Sequence, residues 1–218
     1  MAKIAQYAYI NEEKFAAGTK HGVLRFPDSE MVDTDLLTLV YRKLELDYPK
    51  FFKMDRLAKT GFVASELIMR NSPAINEIER DNTAVIFFNR LASLDTDRKF
   101  ENTICDSANC YPSPSLFVYT LPNIVTGEIC IRNSFKGESS FYVCEKFDPQ
   151  QMSDIAGDAL KYSSNVLTAW YDCVNSHVET VMFLITKSGN EKMLNFNADN
   201  LKYIYNKIFK TDNPKWKN

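Results

Sequence analysis

One short segment restricts the possible folds of this chain more than any other. Residues 83–88 read TAVIFF, a continuous run of β-branched, apolar and aromatic side chains. A strand with one face in water alternates apolar and polar residues, whereas a strand covered on both faces is apolar almost throughout. The run therefore predicts a central strand between two layers of helices, which is the arrangement of α/β proteins.

Periodicity places the other elements around this strand. Strands are predicted where β-branched and aromatic residues cluster, and helices where apolar residues recur every three or four positions. The predicted strands are residues 4–10, 139–144, 166–174 and 178–186; the predicted helices are residues 36–44, 54–69, the part of 116–132 beyond Pro122, 150–162 and 198–209. Residues 11–29 and 89–110 are polar and irregular, so we predict loops there.

Capping and small residues add detail to two of these helices. Residues 33–35 (DTD) offer an N-cap for the first helix, and Asp148 with Pro149 provides a capping carboxylate followed by a proline at the first helical position. Gly61 and its alanine neighbours recur on the apolar face of residues 54–69. We therefore expect this face to pack closely against its neighbours.

The order of elements predicts the topology. Strands separated by helix-length segments indicate parallel neighbours joined by crossover helices, whereas residues 166–174 and 178–186, which flank Asn175-Ser176-His177, indicate an antiparallel pair. The fold class is α/β. We predict a single domain over residues 1–218, a three-layer α/β/α sandwich with a mixed, mostly parallel sheet of about five strands, of which only the last is antiparallel.

Charge and composition exclude several classes of function. The 26 basic and 28 acidic residues are interleaved and the net charge is -2, so we expect no nucleic-acid partner. No signal-peptide pattern or apolar stretch of about 20 residues occurs, which predicts a cytoplasmic protein without membrane insertion. The five cysteines predict reduced thiols, and no metal site is expected because Cys105 and Cys110 form the only close pair.

Three segments resemble a known family. Residues 53–67 (KMDRLAKTGFVASEL) resemble the early helix of β-ketoacyl synthases, and residues 89–100 (NRLASLDTDRKF) resemble the segment after the second strand in short bacterial ketosynthase-like proteins. Residues 113–129 (SPSLFVYTLPNIVTGEI) with 135–138 (FKGE) are similar to the helix and glycine turn that precede the nucleophile strand. The resemblance covers roughly residues 4–186 and implies one thiolase-like half, the β-ketoacyl synthase N-terminal domain of the thiolase-like superfamily.

The resemblance also points to the end of the strand at residues 139–144. In complete enzymes that strand ends in the acyl-accepting cysteine at a helix N-terminus, where partial positive charge lowers the thiol pKa. Here the segment is VCEKFD, residues 143–148, and counting from Gly137 or from the next helix places the nucleophile near Lys146 or at Glu145. The register therefore stays open, and bulky residues stand where the family has small ones.

Two candidate catalytic residues follow, each with a structural alternative. Cys144 is the candidate nucleophile, or it is a small hydrophobic residue at the end of a buried strand. Glu145 is the candidate counterpart of the glutamine or glutamate that replaces the cysteine in decarboxylating and chain-length-factor relatives, or it is a carboxylate favoured near a helix N-terminus. No cofactor is implied.

The family's activity, that of a 3-oxoacyl-[acyl-carrier-protein] synthase, also needs two histidines or a histidine and an asparagine from a second half. His21 and His177 are the chain's two histidines, and neither matches those positions. We expect both to be surface residues and the catalytic second half to be missing.

These observations lead to two functional hypotheses. The first is a non-catalytic or accessory β-ketoacyl synthase-like protein of fatty-acid or polyketide-type lipid biosynthesis. It would form a homodimer, or a heterodimer with a complete ketosynthase, through the strand at residues 139–143, and could contact an acyl carrier protein. The charged residues 95–99 are a possible carrier contact or simply solvated surface. The alternative is a minimal acyl-transfer or thioesterase enzyme that uses Cys144; an unrelated scaffold with this fold is a third reading.

Overall fold

The computed structural model describes residues 1–30, 34–71, 79–105, 110–174, 177–187, 189, 191 and 193–210. Its strands are β1 (Lys3–Asn11), β2 (Ala16–Thr19), β3 (Gly22–Arg25), β4 (Thr83–Asn89), β5 (Ser139–Val143), β6 (Asn165–Val174), β7 (His177–Thr186) and β8 (Leu194–Asn195). Its α-helices are α1 (Leu36–Lys43), α2 (Arg56–Asn71), α3 (Leu94–Glu101), α4 (Pro114–Tyr119), α5 (Ile124–Asn133), α6 (Pro149–Tyr162) and α7 (Ala198–Phe209). The two sets form an α/β protein, as predicted.

All of these strands belong to one mixed sheet. Its order is β3-β2-β1-β7-β6-β4-β5, and β8 pairs with the start of β1. Strand β4 pairs in parallel with both β5 and β6, whereas β7 is antiparallel to β6 and to β1. Among the five longer strands, β1, β4, β5, β6 and β7, only β7 runs antiparallel to the others. This confirms the prediction that only the last of the five strands is antiparallel.

Helices cover both faces of the sheet. Helices α1, α2 and α5 pack on one face and α6 and α7 on the other, each with its own apolar cluster. Strand β4 contributes to both: Val85 and Phe87 face the first cluster, and Ala84, Ile86 and Phe88 face the second. Every residue of β4 is buried. The central strand predicted from residues 83–88 is therefore confirmed.

The predicted helix N-caps are confirmed at the positions that the structure describes. Asp35 accepts a hydrogen bond from the backbone N–H of Thr38 at the start of α1, and Asp148 does the same for Gln150 and Gln151 at the start of α6. Gly61 lies in α2 against Val125 of α5, as expected for close packing. Asp33, another candidate cap, and the turn residues 175–176 lie outside the described residues.

Two predictions of irregular structure were wrong. Residues 11–29, predicted as a loop, contain the hairpin of β2 and β3, and these two strands together with the short β8 raise the strand count from about five to eight. Four-residue strands with a glycine each carry little periodic signal. Residues 89–110, also predicted as a loop, contain α3, in which Thr96 is the one buried residue, so no apolar stripe marks the helix.

The segment before α5 is also more ordered than predicted. The proline-rich residues 111–115 lead into α4, whose N-cap Ser113 accepts a hydrogen bond from the backbone N–H of Leu116. Only the helix beyond Pro122 was predicted, because six residues are too few for a periodic pattern. Among the described helices, none combines the length and apolar character that a bilayer crossing requires.

Candidate functional site

The candidate site lies where β4 and β5 end side by side. Asn89 is level with Val143 across the parallel pair, and the backbone N–H of Cys144 donates to the carbonyl oxygen of Asn89 at 2.8 Å. The carboxyl ends of neighbouring parallel strands form the usual ligand-binding edge of an open α/β sheet. Cys144 therefore lies at the edge of the sheet where the family resemblance places a nucleophile.

The side chain of Asn89 shapes the turn that follows β4. Its Oδ1 accepts from the backbone N–H of Ala92 at 3.0 Å and its Nδ2 donates to the Ala92 carbonyl at 2.9 Å. Ala92 has a φ of 49°, in the left-handed region, and these two bonds hold it there. Both polar atoms of the Asn89 side chain bond to the backbone of Ala92, so Asn89 acts as a structural residue of the turn.

The N-terminus of α6 is occupied by a carboxylate. Oδ1 of Asp148 accepts from the backbone N–H groups of Gln150 at 2.9 Å and Gln151 at 3.1 Å, and Pro149 follows the cap. The partial positive charge at a helix start stabilises an anion placed there. In this chain that anion is the Asp148 carboxylate.

Cys144 is half-buried and its thiol is directed at α6. Sγ donates to Oε1 of Gln151 at 3.2 Å. Burial raises the pKa of the Cys144 thiol above its ordinary value, and the negative charge of Asp148 raises it further. The shift is opposite to the lowered pKa that a thiol gains at a helix N-terminus. Burial and the nearby negative charge thus favour the protonated form of Cys144.

The three residues after Cys144 separate it from the helix. Glu145 and Lys146 are exposed, and Phe147 turns inward, where its ring stacks on Tyr205 with centroids 4.2 Å apart and meets Trp170 edge-on. The structure does not bring Cys144 and Glu145 into contact with any histidine that it describes. Glu145 precedes the cap Asp148 and does not itself cap α6.

A polar network next to Phe147 was not predicted from the sequence. Oε1 of Glu179 accepts from Trp170 Nε1 at 2.9 Å and from the Tyr205 hydroxyl at 2.5 Å. Burial raises the pKa of the Tyr205 hydroxyl strongly, and the bond to Glu179 raises it further. These bonds attach α7 to the hairpin of β6 and β7. The polar residues at the ends of β6 and β7, two otherwise apolar strands, were the sequence signal from which this network could have been predicted.

An ion pair lies beside this network. Asp172 is level with Glu179 across the hairpin, and its Oδ2 lies 3.0 Å from the guanidinium of Arg90. Oδ1 of Asp172 is buried and has no hydrogen-bond partner among the described residues. Arg90 follows Asn89 directly, so the ion pair ties the turn after β4 to the end of β6.

The helix that carries residues 95–99 also packs toward the interior. Thr96 Oγ1 donates to Oδ2 of Asp55 at 2.5 Å, and the other carboxylate oxygen accepts from the backbone N–H of Ala58 at the start of α2. Burial raises the pKa of Asp55, and that of the nearby Cys173 thiol is raised to about 12, again mainly by burial. Burial therefore disfavours the thiolate form of Cys173.

The two histidines lie away from the end of β5 in the fold. His21 is exposed in the turn between β2 and β3. His177 is the first residue of β7, not a turn residue as predicted; its side chain is 40% exposed and its Nδ1 lies 3.2 Å from Oε1 of Glu13. Cys105 and Cys110 are exposed, and no group of three or more His, Cys, Asp or Glu among the described residues could hold a metal ion.

Comparison with solved structures identifies the fold. The ishigamide ketosynthase/chain length factor superposes with a TM-score of 0.64 at 14% sequence identity, over 88% of this chain and 63% of that one. The chain has the fold of the β-ketoacyl synthases. A β-ketoacyl synthase from Burkholderia phymatum STM815 shares this ketosynthase fold, with a TM-score of 0.57 at 12% identity over 86% of this chain and 59% of its own.

A third structure with the ketosynthase fold comes from a complex. AntDE:AntF, a type II polyketide-synthase acyl-carrier protein with its ketosynthase bound to the hexaketide, matches with a TM-score of 0.56 at 10% identity over 85% of this chain. The present chain covers 62% of that one, so it spans about three fifths of the length of these three relatives. Neither a protein-family model nor a curated protein sequence matches the chain.

Proposed function

We propose that this protein is an accessory, non-catalytic ketosynthase-like protein of polyketide or fatty-acid-type lipid biosynthesis that acts by association. One observation carries the proposal: the helix start after β5 holds the carboxylate of Asp148 where a catalytic ketosynthase holds a thiol. A thiol needs positive charge nearby to become a nucleophilic thiolate. Burial raises the pKa of the Cys144 thiol instead, and the negative charge of Asp148 raises it further.

The surroundings of Cys144 support the same proposal. An acyl thioester must approach the sulfur atom, and the family's small residues at this place allow it. Here Gln151 accepts the thiol hydrogen bond, while the bulky Glu145 and Lys146 follow Cys144. A protein that keeps the fold and lacks an activated nucleophile is suited to assist a catalytic partner.

Association is supported by the open edge of β5. The carbonyl of Glu138 and the N–H of Cys144 bond to β4, so by alternation the backbone groups of Ser139, Phe141 and Val143 point away from the sheet. Among the described residues no strand pairs with this edge, and the Val143 side chain is 57% exposed. An open edge with unpaired N–H and C=O groups favours pairing with another chain.

The class of partner rests on the structural relatives. One of them is a ketosynthase/chain length factor, and another is a ketosynthase in complex with an acyl-carrier protein. We propose that β5 of this chain pairs antiparallel with the same strand of a complete ketosynthase, or of a second copy, and that the assembly serves a carrier-bound acyl chain. An antiparallel pair about a two-fold axis is the simplest closed arrangement of two such edges.

The test is co-purification with the ketosynthases of the native host, followed by size-exclusion chromatography with light scattering. We expect a 1:1 heterodimer or a homodimer. Val143→Pro removes one outward N–H and should dissociate the dimer, whereas Val143→Ala keeps that N–H and should leave it intact. A monomer with no captured ketosynthase or carrier protein would contradict association, as would a dimer that Val143→Pro leaves unchanged.

The competing function, acyl transfer or thioester hydrolysis through Cys144, is tested on the same preparation. The protein is incubated with an acyl-carrier-protein thioester and its intact mass is measured. We expect no acyl adduct and no hydrolysis above background. An adduct that disappears in Cys144→Ala would establish the enzyme and overturn the non-catalytic proposal.

A further inference from the structure

A cavity lies over the outer half of the sheet, away from the site after β5. It is bounded by β1, the β2–β3 hairpin and the last turns of α7, and has a volume of about 630 Å³. Small-molecule sites in proteins commonly fall between about 300 and 1,000 Å³. The hairpin that forms one wall is the part of the sheet that the sequence did not predict.

Strand β1, which contributes Tyr7 and Tyr9 to the cavity wall, has an interrupted region of strand pairing close by. The outer edge of β1 pairs with β8 at Lys3 and Ile4 and with β2 from Ala8 onward, so Ala5 lies between the two partners. The register with β7 also shifts at Ala5, as at a β-bulge. Bulges expose backbone groups that a regular ladder would pair, and they recur near binding sites.

Lys20 reaches this gap from the hairpin turn. Its Nζ donates a hydrogen bond to the carbonyl oxygen of Ala5. Lys20 is exposed as a residue, and partial desolvation of its ammonium lowers the pKa of that group. The bond uses one of its three N–H donors, and two remain for a ligand.

The cavity wall has one sign of charge. Its titratable lining residues are Tyr7, Tyr9, Lys14, Lys20, His21, Arg25 and Lys207, with no carboxylate among the described lining residues. The whole chain is slightly acidic, with a net charge of -2. Arg25 of β3 and Lys20 of the hairpin turn therefore line the same cavity, and a concave surface rich in one charge concentrates the opposite ion.

Two tyrosines complete the wall. Tyr9 lies over Gly18, where an added Cβ would come within 3.1 Å of the tyrosine ring. Burial raises the pKa of the Tyr9 hydroxyl, whereas the positive charge of Arg25, another residue of the cavity wall, acts in the opposite direction. Arg25 can thus offer its planar donors to a bidentate anion such as a phosphate group.

We propose that this cavity is a binding site for a phosphate-bearing small molecule with two or more negative charges, held by Arg25 and Lys20. Two cations in one cavity, with no carboxylate among the lining residues that the structure describes, favour a multiply charged anion. The tyrosine hydroxyls add donors, and their rings give the cavity an apolar wall. The site is independent of Cys144 and of the dimer edge at β5.

Isothermal titration calorimetry of the full chain with sodium pyrophosphate tests the proposal, with sodium chloride of matched ionic strength as the blank. We expect saturable 1:1 binding. Arg25→Gln and Lys20→Gln should each weaken the affinity roughly tenfold or more, because each removes a charge-assisted hydrogen bond. Arg98→Gln on α3 is the matched control with the same loss of charge and should bind as the parent does.

No saturable binding by the parent would overturn the proposal, as would an equal loss in Arg25→Gln and Arg98→Gln, which would mark a diffuse charge effect. A second arm distinguishes the source of the phosphate group. Cosedimentation with phosphatidic acid vesicles that pyrophosphate reverses would identify a lipid headgroup as the ligand. Binding to soluble pyrophosphate without cosedimentation would identify a free phosphate compound.

Discussion

The thiol of Cys144 donates to Oε1 of Gln151 over 3.2 Å, and the backbone N–H of the same glutamine donates to Asp148 at the start of α6. One residue of the helix's first turn thus connects the thiol to the cap. This arrangement places Cys144 close to a carboxylate and away from the bare helix terminus that activates nucleophilic thiols. The reactivity of the Cys144 thiol depends on which charge acts on it more strongly: the negative charge of the Asp148 carboxylate or the partial positive charge of the helix terminus.

The first prediction concerns the reactivity of Cys144. Because burial and Asp148 both raise its pKa, alkylation by iodoacetamide should be slow at pH 7 and should reach half of its maximal rate only at a pH above the ordinary thiol value of 9.0. Asp148→Asn removes the charge and keeps a good N-cap, so the alkylation rate at pH 8 should increase roughly two- to fivefold. Peptide mapping by mass spectrometry resolves Cys144 from the exposed Cys105 and Cys110.

Asp154→Asn is the control for that experiment. It removes the same charge from an exposed position of α6, where Asp154 accepts from Gln150 Nε2. We expect no change in the Cys144 rate. Fast alkylation of Cys144 in the parent at pH 7 would show that the thiol is activated and would favour the enzyme hypothesis.

The second prediction concerns the stability of α6. Asp148→Ala leaves the N–H groups of Gln150 and Gln151 without their side-chain acceptor, and loss of an N-cap costs about 1 kcal/mol. The free energy of unfolding in urea should fall by about that amount, while Asp148→Asn should remain within about 0.5 kcal/mol of the parent. Equal stability of the alanine variant and the parent would show that the cap contributes nothing.

The third prediction tests the close contact of α2 with α5. A Cβ at Gly61 would lie 2.8 Å from Cγ2 of Val125, a buried side chain. Gly61→Ala should destabilise the protein by roughly 1–3 kcal/mol because the helices must move apart. Gly127→Ala is the matched control: it lies in α5 with no atom within 4 Å of the added Cβ, and should stabilise by about 0.5–1 kcal/mol. Thermal or urea unfolding measures both variants.

The fourth prediction concerns the pH dependence at Asp55. Burial raises its folded-state pKa above the ordinary 3.8, so the folded protein binds this proton more tightly than the unfolded chain does. This carboxyl therefore favours folding most at pH values below 3.8, and its contribution decreases as the pH rises through the raised value. Relative to Asp55→Asn, which keeps the bond from Ala58, the parent should gain stability as the pH is lowered from 7 to 3.

Urea unfolding of the parent and of Asp55→Asn at a series of pH values measures how the difference in their free energies of unfolding changes with pH. A parent that loses stability relative to Asp55→Asn as the pH falls would mean that the carboxylate is stabilised in its charged form. In that case the bonds from Thr96 and Ala58 would outweigh the burial of the group.

Long apolar patterns were readable from the sequence because they reflect burial that any compact fold would need. The apolar run at residues 83–88 predicted a strand between two layers of helices, and β4 is buried in that position. Asp148 and Pro149 had to start a helix, because a local hydrogen bond and a fixed φ need no distant partner, and α6 starts there. The same local logic located α7 and the antiparallel pair of β6 and β7.

Short and polar elements depended on tertiary contacts. The β2–β3 hairpin is held by pairing with β1, and α3 is anchored by the bond from Thr96 to Asp55, a residue far away in the chain. Neither contact produces a periodic pattern of apolar residues in the local sequence. The same limit applies to the candidate sites, because charge and distance between remote segments determine their chemistry.

The sequence alone therefore determined the strand that precedes Cys144 and the helix that follows it, through burial and capping. Only the tertiary structure decided that the Cys144 thiol bonds to Gln151 and lies half-buried near the Asp148 carboxylate, so that burial and then this negative charge raise its pKa. It likewise decided that Lys20 and Arg25, read as loop residues, line one cavity with Tyr9. The reason is physical: local periodicity reports which residues are buried, whereas pKa and binding depend on the groups that folding brings near from other segments.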